Sequence, residues 1–218
     1  MKKLCLFDLD GTLIDPHTAI TKAAQYALAL EGIEIADRNQ LNPLIGPPLR
    51  DSLREFYNLT DPEQIERIVD KYREYFLEKG IYENELYPGI IDMLKQLKTA
   101  GLTLAIATSK LMISAQKIAE YLEFDHYFDL IIGCEYDGTR SHKSEVIDYI
   151  LDKLDPDKQY SPVMIGDRKY DIIGAKEMGI DSIGITWGYG SREELENENP
   201  GLIVDSVEEL SRILLSVS

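Results

Sequence analysis

Asp8 and Asp10 stand two residues apart in LCLFDLDGTLID, residues 4–15, directly after four apolar residues that read as a buried strand. Two carboxylates so close, beside low-dielectric packing, resist ionising together, so the pair costs free energy unless a cation or a shared proton relieves it. The stretch therefore calls for a positive partner. The 218-residue chain carries 39 acidic against 23 basic residues, a formal charge of −16, so an anionic ligand can bind only where a metal or a few cationic side chains reverse the local potential.

Six short apolar runs read as strands, at residues 4–7, 102–107, 128–134, 163–165, 182–186 and 202–204. Between the later runs apolar residues recur at helical spacing, as Ile90, Ile91, Leu94 and Leu97, as Val146, Ile147, Ile150, Leu151 and Leu154, and as Val207, Leu210, Ile213 and Leu214. Alternation of this kind predicts an α/β fold, with right-handed βαβ units on a Rossmann-like parallel sheet covered on both faces, giving three layers. Residues 16–87 show no convincing strand and read as helices over 18–30, 49–57 and 62–79, the last with Asp61 as N-cap and Pro62 in the first helical position. The predicted organisation is a core of residues 1–15 and 88–218 with a small helical-bundle cap domain, 16–87, inserted into it.

Ligands of an open α/β sheet bind beyond the carboxyl ends of its strands. The first run leads into Asp8-Leu9-Asp10-Gly11-Thr12, the second into Thr108-Ser109-Lys110, and the fourth into Gly166-Asp167-Arg168-Lys169-Tyr170-Asp171; Lys143 opens the helix over 144–154. Singly, each has an ordinary reading: Asp10-Gly11 as a turn, Thr108, Ser109 or Asp167 as a helix cap, Lys143 as a solvated lysine. Those readings do not predict that all of them arrive, in order, at one edge of one sheet.

Together these residues resemble the four motifs of the haloacid dehalogenase-like hydrolase superfamily, and the helical insertion is similar to the cap of its phosphoglycolate phosphatase and β-phosphoglucomutase branch. The resemblance implies Asp8 as nucleophile forming an aspartyl-phosphate and Asp10 as its general acid and base. It implies Mg²⁺ held by Asp8, Asp167 and the backbone carbonyl of Asp10. Thr108, Ser109 and adjacent backbone N–H groups would bind phosphoryl oxygens, Lys143 would balance charge, and Asp171 would hold Lys143 or a metal-bound water. Many relatives follow that lysine with a proline-rich turn; here Ser144-Glu145 follows, which leaves Lys110 as the alternative. Oxygen-only ligands without a His/Cys pair favour Mg²⁺ over zinc.

The dehalogenase branch lacks the second acid of the first motif, so Asp10 argues against dehalogenation. Phosphonate cleavage in the superfamily uses a cap lysine, and no lysine falls between Lys22 and Lys71. The stretch NPLIGPPLR, residues 42–50, resembles a substrate loop, with Gly46 within it and Arg50 as the candidate for an anionic group on the substrate. Residues 187–192 also resemble related phosphatases, and are expected to shape the entrance with Trp187 packing. The expected activity is hydrolysis of small phosphate monoesters, phosphoglycolate phosphatase-like or 5′-nucleotidase-like. The alternatives are a β-phosphoglucomutase-like phosphomutase and a non-catalytic binding protein of the same fold.

The expected partner is a small phosphorylated metabolite. No basic cluster suits a nucleic acid polymer or an anionic membrane, and no apolar run approaches the roughly 18 residues of a membrane span. The four-residue apolar run after Lys2-Lys3 is shorter than the roughly 7–15 residues of a secretion signal. Cys5 and Cys134 are expected to be buried reduced thiols, in keeping with a cytoplasmic setting.

Overall fold

The computed structural model describes residues 2–216. Its strands and α-helices, in chain order, are β1 (Lys2–Phe7), β2 (Ile14–Asp15), α1 (His17–Leu30), α2 (Leu49–Tyr57), α3 (Pro62–Glu78), β3 (Glu85–Leu86), α4 (Ile90–Thr99), β4 (Thr103–Leu111), α5 (Met112–Tyr121), β5 (Leu130–Cys134), α6 (Lys143–Leu154), β6 (Tyr160–Gly166), α7 (Lys169–Glu177), β7 (Asp181–Ile185), α8 (Arg192–Asn197), β8 (Leu202–Val204) and α9 (Val207–Ser216).

Six strands form one sheet in the order β5-β4-β1-β6-β7-β8, every neighbouring pair parallel. Because side chains alternate along a strand, β1 feeds both faces of the sheet. Cys5 and Phe7 join the cluster that includes Ile90, Leu94 and Ile118, while Leu4 and Leu6 pack with Val146, Ile147 and Ile150 of α6. Burial on both sides is why β1, β4 and β6 read as continuous apolar runs. The fold is the three-layer α/β/α architecture expected.

Two strands, β2 and β3, escaped the sequence reading. They pair antiparallel, Ile14 with Leu86 and Asp15 with Glu85, and stitch together the chain's departure from the sheet region and its return. Tyr87 N–H adds a bond to Leu13 C=O at 3.1 Å. Between them run α1, α2 and α3, whose Ala23, Leu28, Leu53, Ile65 and Phe76 are buried in the same cluster as Phe7. Asp61 caps α3 as expected, its carboxylate accepting from Glu63 N–H at 3.0 Å.

Strand β4 does not stop at Ala107. It pairs with β5 from Ala107 opposite Ile132 to Leu111 opposite Cys134, so four residues of advance on β4 match two on β5. The surplus makes a bulge at Thr108, Ser109 and Lys110, a device that turns side chains out of the regular pleat. Of the two cysteines, Cys5 is fully buried and Cys134 only half-buried; both are free thiols. No helix among the described residues is long and apolar enough to cross a membrane.

Candidate active site

The central strand β1 lies between β4 and β6, so the chain leaves it to opposite sides and opens a crevice at its carboxyl end. Asp8 is the first residue past β1, and its N–H donates to Ile165 C=O on β6 at 2.9 Å. The turn that follows is pinned by fully buried Leu9 and Leu13, with Leu9 C=O accepting from Leu13 N–H at 3.0 Å and Ile14 N–H at 3.1 Å. Gly11 sits at φ +82°, where a Cβ would lie 2.3 Å from Asp167 Oδ2, so only glycine closes this turn against its neighbour. Apolar anchors thereby hold Asp8 and Asp10 in place, both more than nine-tenths buried.

Sequence reasoning left Lys143 and Lys110 as alternatives; the structure sets one lysine on each aspartate. Lys143 Nζ, at the start of α6, lies 2.8 Å from Asp8 Oδ1 and 2.9 Å from Asp171 Oδ1, and donates to Ala107 C=O at 2.8 Å. Its burial alone would favour the neutral amine, but Asp171 and Asp8 outweigh that and hold its pKa above the ordinary lysine value. Lys110 Nζ spans both oxygens of Asp10, at 3.0 and 2.7 Å, with the Phe76 ring of α3 beneath it at 4.3 Å. The positive partners demanded by the Asp8–Asp10 pair are therefore built into the chain.

A second acidic group lies alongside. Oxygens of Asp8, Asp167 and Asp171 fall within 4.8 Å of one another, all three residues buried. Burial, then the charges of Asp171 and Asp8, push the Asp167 carboxyl up to about 8. Burial also raises Asp171, to about 6, with Lys143 opposing and Asp8 adding to the shift. Asp10 is raised by burial too, against the pull of Lys110. Three carboxylates facing one ammonium leave the cluster short of positive charge, and an all-oxygen donor set suits a hard divalent ion such as Mg²⁺. The Asp10 side chain is held by Lys110 and stands outside this trio. Asp171, expected to hold Lys143 or a metal-bound water, pairs with Lys143 at 2.9 Å and lies in the same carboxylate group as Asp8 and Asp167.

Thr108 is buried in the β4 bulge, its Oγ1 accepting from Lys110 N–H at 3.2 Å, and Ser109 beside it faces a cavity of about 520 Å³. Asp10 and Lys110 line that cavity from the sheet, and Arg50, Tyr72, Arg73 and Phe76 line it from α2 and α3. Arg50 reaches the cavity but is bound to Glu66, Nε to Oε1 at 2.6 Å and Nη2 to Oε2 at 2.7 Å. Gly46 takes φ +105°, and a Cβ there would meet Arg168 Cγ at 2.9 Å. Arg168 in turn donates to Ile45 C=O and pairs with Glu194 at 2.9 Å.

The segment 187–190 has a closer role than the entrance wall expected of it. Tyr189 N–H donates to Asp167 Oδ2 at 2.7 Å, and the Trp187 indole N–H donates to Thr12 C=O at 3.1 Å. A Cβ on Gly188 would lie 2.4 Å from Asp167 Cβ, and one on Gly190 would lie 1.9 Å from the Asp167 main-chain oxygen. The signal was present in Trp187-Gly188-Tyr189-Gly190, where glycines alternate with aromatics to let backbone approach backbone. Gly188→Ala is expected to cost about 1–3 kcal/mol in urea unfolding, because backbone and a buried carboxylate must give way. An unchanged midpoint would refute the cradle.

The haloacid dehalogenase-like hydrolase family model matches residues 5–185. A 5′-nucleotidase of Pseudomonas aeruginosa is 43% identical over 195 residues, 89% of this chain and 87% of that protein. The tyrosine-protein kinase PtkA of Mycobacterium tuberculosis is 32% identical across 97% of this chain and 72% of its own length. A phosphoglycolate phosphatase of Agrobacterium fabrum is 31% identical, across 98% of this chain and 93% of its own. The crystal structure of a predicted phosphatase from Clostridium acetobutylicum superposes with a TM-score of 0.94 at 43% identity, covering 99% of both chains. On the match across most of its length and on these relatives, the chain belongs to the haloacid dehalogenase-like hydrolase family, in its phosphoglycolate phosphatase-like branch.

Proposed function

We propose that this protein is a Mg²⁺-dependent phosphatase that hydrolyses small phosphate monoesters through an aspartyl-phosphate on Asp8, with residues 16–87 acting as a cap domain that governs substrate choice. One observation carries the reading: two neighbouring buried aspartates are held by two different lysines, Lys143 on Asp8 and Lys110 on Asp10. Equivalent carboxylates would do the same job; carboxylates in different environments divide the work.

Asp8 has one oxygen on Lys143 and attacks phosphorus in line with the leaving alkoxide, forming the acyl-phosphate bond as the ester P–O bond breaks. Asp10, whose carboxyl is raised by burial, gives its proton to the departing alkoxide. It then takes a proton from the water that attacks the phosphoenzyme, releasing inorganic phosphate and restoring Asp8. Thr108 and the N–H groups of the β4 bulge receive phosphoryl oxygens, and the Lys143 ammonium, steadied by Asp171, offsets the charge that gathers there. Asp8, Asp167 and the Asp10 carbonyl would hold Mg²⁺, with Asp171 beside them, and the bound ion would supply the charge neutralisation that lets a carboxylate approach a phosphate.

The test is phosphate release from p-nitrophenyl phosphate, phosphoglycolate, nucleoside monophosphates and a hexose phosphate, with and without Mg²⁺. Hydrolysis that EDTA abolishes and Mg²⁺ restores is expected. Isomerised sugar phosphate without free phosphate would identify a phosphomutase instead, and no turnover of any ester would leave a binding protein.

The same cluster makes a stability prediction. Mg²⁺ is expected to raise the melting temperature of the wild type, since a ligand at 100 times its Kd adds about 2.7 kcal/mol. Asp167→Asn removes one of three crowded carboxylates while its side-chain oxygen still accepts from Tyr189 N–H. It is expected to melt higher than wild type without metal, and to lose the Mg²⁺ response. A variant that kept that response would show the ion binding elsewhere.

A further inference from the structure

Residues 16–87 rest on the remainder of the chain along a contact with few polar bonds. The ion pairs of this region, Lys22–Glu83, Arg50–Glu66 and Arg67–Glu31 among them, stay inside it. Away from the β2–β3 stitch, two side-chain hydrogen bonds cross the contact among the described residues, and both come from arginines. Arg73 of α3 reaches outward: its Nη1 donates to Tyr136 C=O at 3.1 Å, and its guanidinium lies 5.0 Å from the centre of the Tyr136 ring. Arg168 reaches the other way and donates to Ile45 C=O. The two bonds lie on opposite sides of Asp8. Tyr136 follows β5 and Arg168 follows β6, and the sheet order β5-β4-β1-β6 places the end of β1 between them.

Arg168 is fixed before it reaches Ile45. It is buried, and its Nε donates to Glu194 Oε1 of α8 at 2.9 Å, an oxygen that also accepts from Lys169 N–H at 2.9 Å. Its main-chain N–H donates to Asp171 Oδ2 at 3.1 Å, and Asp167 precedes it in the chain, so its base belongs to the carboxylate cluster. Two glycines make room for its stem: a Cβ on Gly46 would lie 2.9 Å from Arg168 Cγ, and one on Gly190 would lie 3.3 Å from Arg168 Cδ. The guanidinium serves Glu194 with Nε and Ile45 with Nη1 because its donors diverge from a rigid plane, whereas lysine carries all its donors on one atom. The loop it grips supplies Leu44, Gly46 and Arg50 to the cavity wall.

We infer that Arg168 is a positioning residue, which with Arg73 forms a two-point clasp that holds residues 16–87 shut over the cavity and fixes loop 42–50 against the turn that carries Asp167. Each arginine grips a main-chain carbonyl rather than a carboxylate, so opening strands no charge: Arg168 keeps its ion pair with Glu194, and the freed groups gain water. A clasp of this kind is firm enough to close the site and weak enough to release it. The inference rests on the cap assignment proposed above, and its readouts do not require turnover, so clasp and phosphatase reading can fail separately.

Cys134 lines the same cavity while Cys5 is fully buried in β1, so alkylation of Cys134 by a bulky neutral maleimide reports opening. Arg168→Met keeps an unbranched stem and removes the donors. It is expected to raise the Cys134 alkylation rate by about 10-fold or more, as loss of a hydrogen bond from a charged group implies. Amide exchange in residues 42–50 is expected to quicken with it. The Cys134 reading separates a clasp from a local contact, because Cys134 ends β5, on the far side of Asp8 from Arg168. Arg168→Lys should recover only part of the closure. Faster exchange in residues 42–50 with Cys134 at the wild-type rate would overturn the clasp, as would wild-type rates in both. Should Arg168→Met not fold, Arg73→Gln tests the clasp from its other end: faster exchange in residues 42–50 is expected, and wild-type exchange there would overturn the inference. Hydrolysis of p-nitrophenyl phosphate by the wild type, measured alongside, decides the phosphatase reading independently.

Discussion

Asp8→Asn is expected to lower phosphate release by about 10⁴-fold or more, the loss typical when a covalent nucleophile is removed while binding groups remain. The substitution also removes one of the three crowded carboxylates and, with it, one of the two that face Lys143, changes of opposite sign in stability. Asn has the volume of Asp, and Lys143 keeps Asp171 at 2.9 Å and Ala107 C=O at 2.8 Å, so the buried ammonium is not orphaned. The Asp8 N–H to Ile165 bond belongs to the main chain and survives. An unchanged unfolding midpoint with turnover gone is therefore the expected combination. Asp8→Glu is also expected to be inactive, because one extra methylene displaces the attacking oxygen by more than in-line geometry tolerates. Wild-type turnover in either variant would refute the assignment.

Lys143→Met is expected to damage stability and activity together. Methionine keeps the unbranched stem, which passes so close to α7 that a Cβ on Gly174 would lie 2.8 Å from Lys143 Cβ. What disappears is the one ammonium among Asp8, Asp167 and Asp171. Removing one partner from a buried ion pair and leaving the other uncompensated costs about 3–5 kcal/mol, here to be read from urea unfolding in EDTA. Activity is expected to fall by about 10³-fold from lost transition-state charge stabilisation. Added Mg²⁺ should return part of the stability, since it supplies positive charge to the same carboxylates, but not the activity. A midpoint equal to wild type in EDTA would show that Lys143 does not neutralise the cluster.

The buried strands were legible because a parallel sheet covered on both faces turns its strands into unbroken apolar runs, as in residues 4–7 and 163–165. Helices α2 and α3 were legible from apolar spacing and, in α3, from the Asp61-Pro62 start. Strands β2 and β3 were not, since two residues each carry no periodicity. Helices α5 and α7 were obscured because small residues, Ala115 and Ala119 in one and Gly174 and Ala175 in the other, fill positions where large apolar residues would mark a stripe.

At the site, residue identity was legible and allocation was not. Asp8, Asp10, Thr108, Lys143, Asp167 and Asp171 do converge, but which lysine serves which aspartate depends on the β4 bulge that carries Lys110 to Asp10. That bulge arises from a register mismatch with β5, which no local pattern within residues 103–111 records. Arg50 looked free in sequence because Glu66, its partner, lies on another helix. Arg73 drew no notice for the complementary reason: a lone arginine in an amphipathic helix looks solvated until its neighbours are placed.

The central claim is that phosphate passes through Asp8, and the most direct measurement is the location of that phosphate in transit. Enzyme mixed with radiolabelled substrate and Mg²⁺, quenched in acid within one turnover and digested, is expected to carry label on the peptide containing Asp8-Leu9-Asp10, with Asp8 as the modified residue. The label should be lost in hydroxylamine, which cleaves acyl phosphates, and should be absent from Asp8→Asn. Full turnover with no labelled peptide, or label on any residue other than Asp8, would contradict the account.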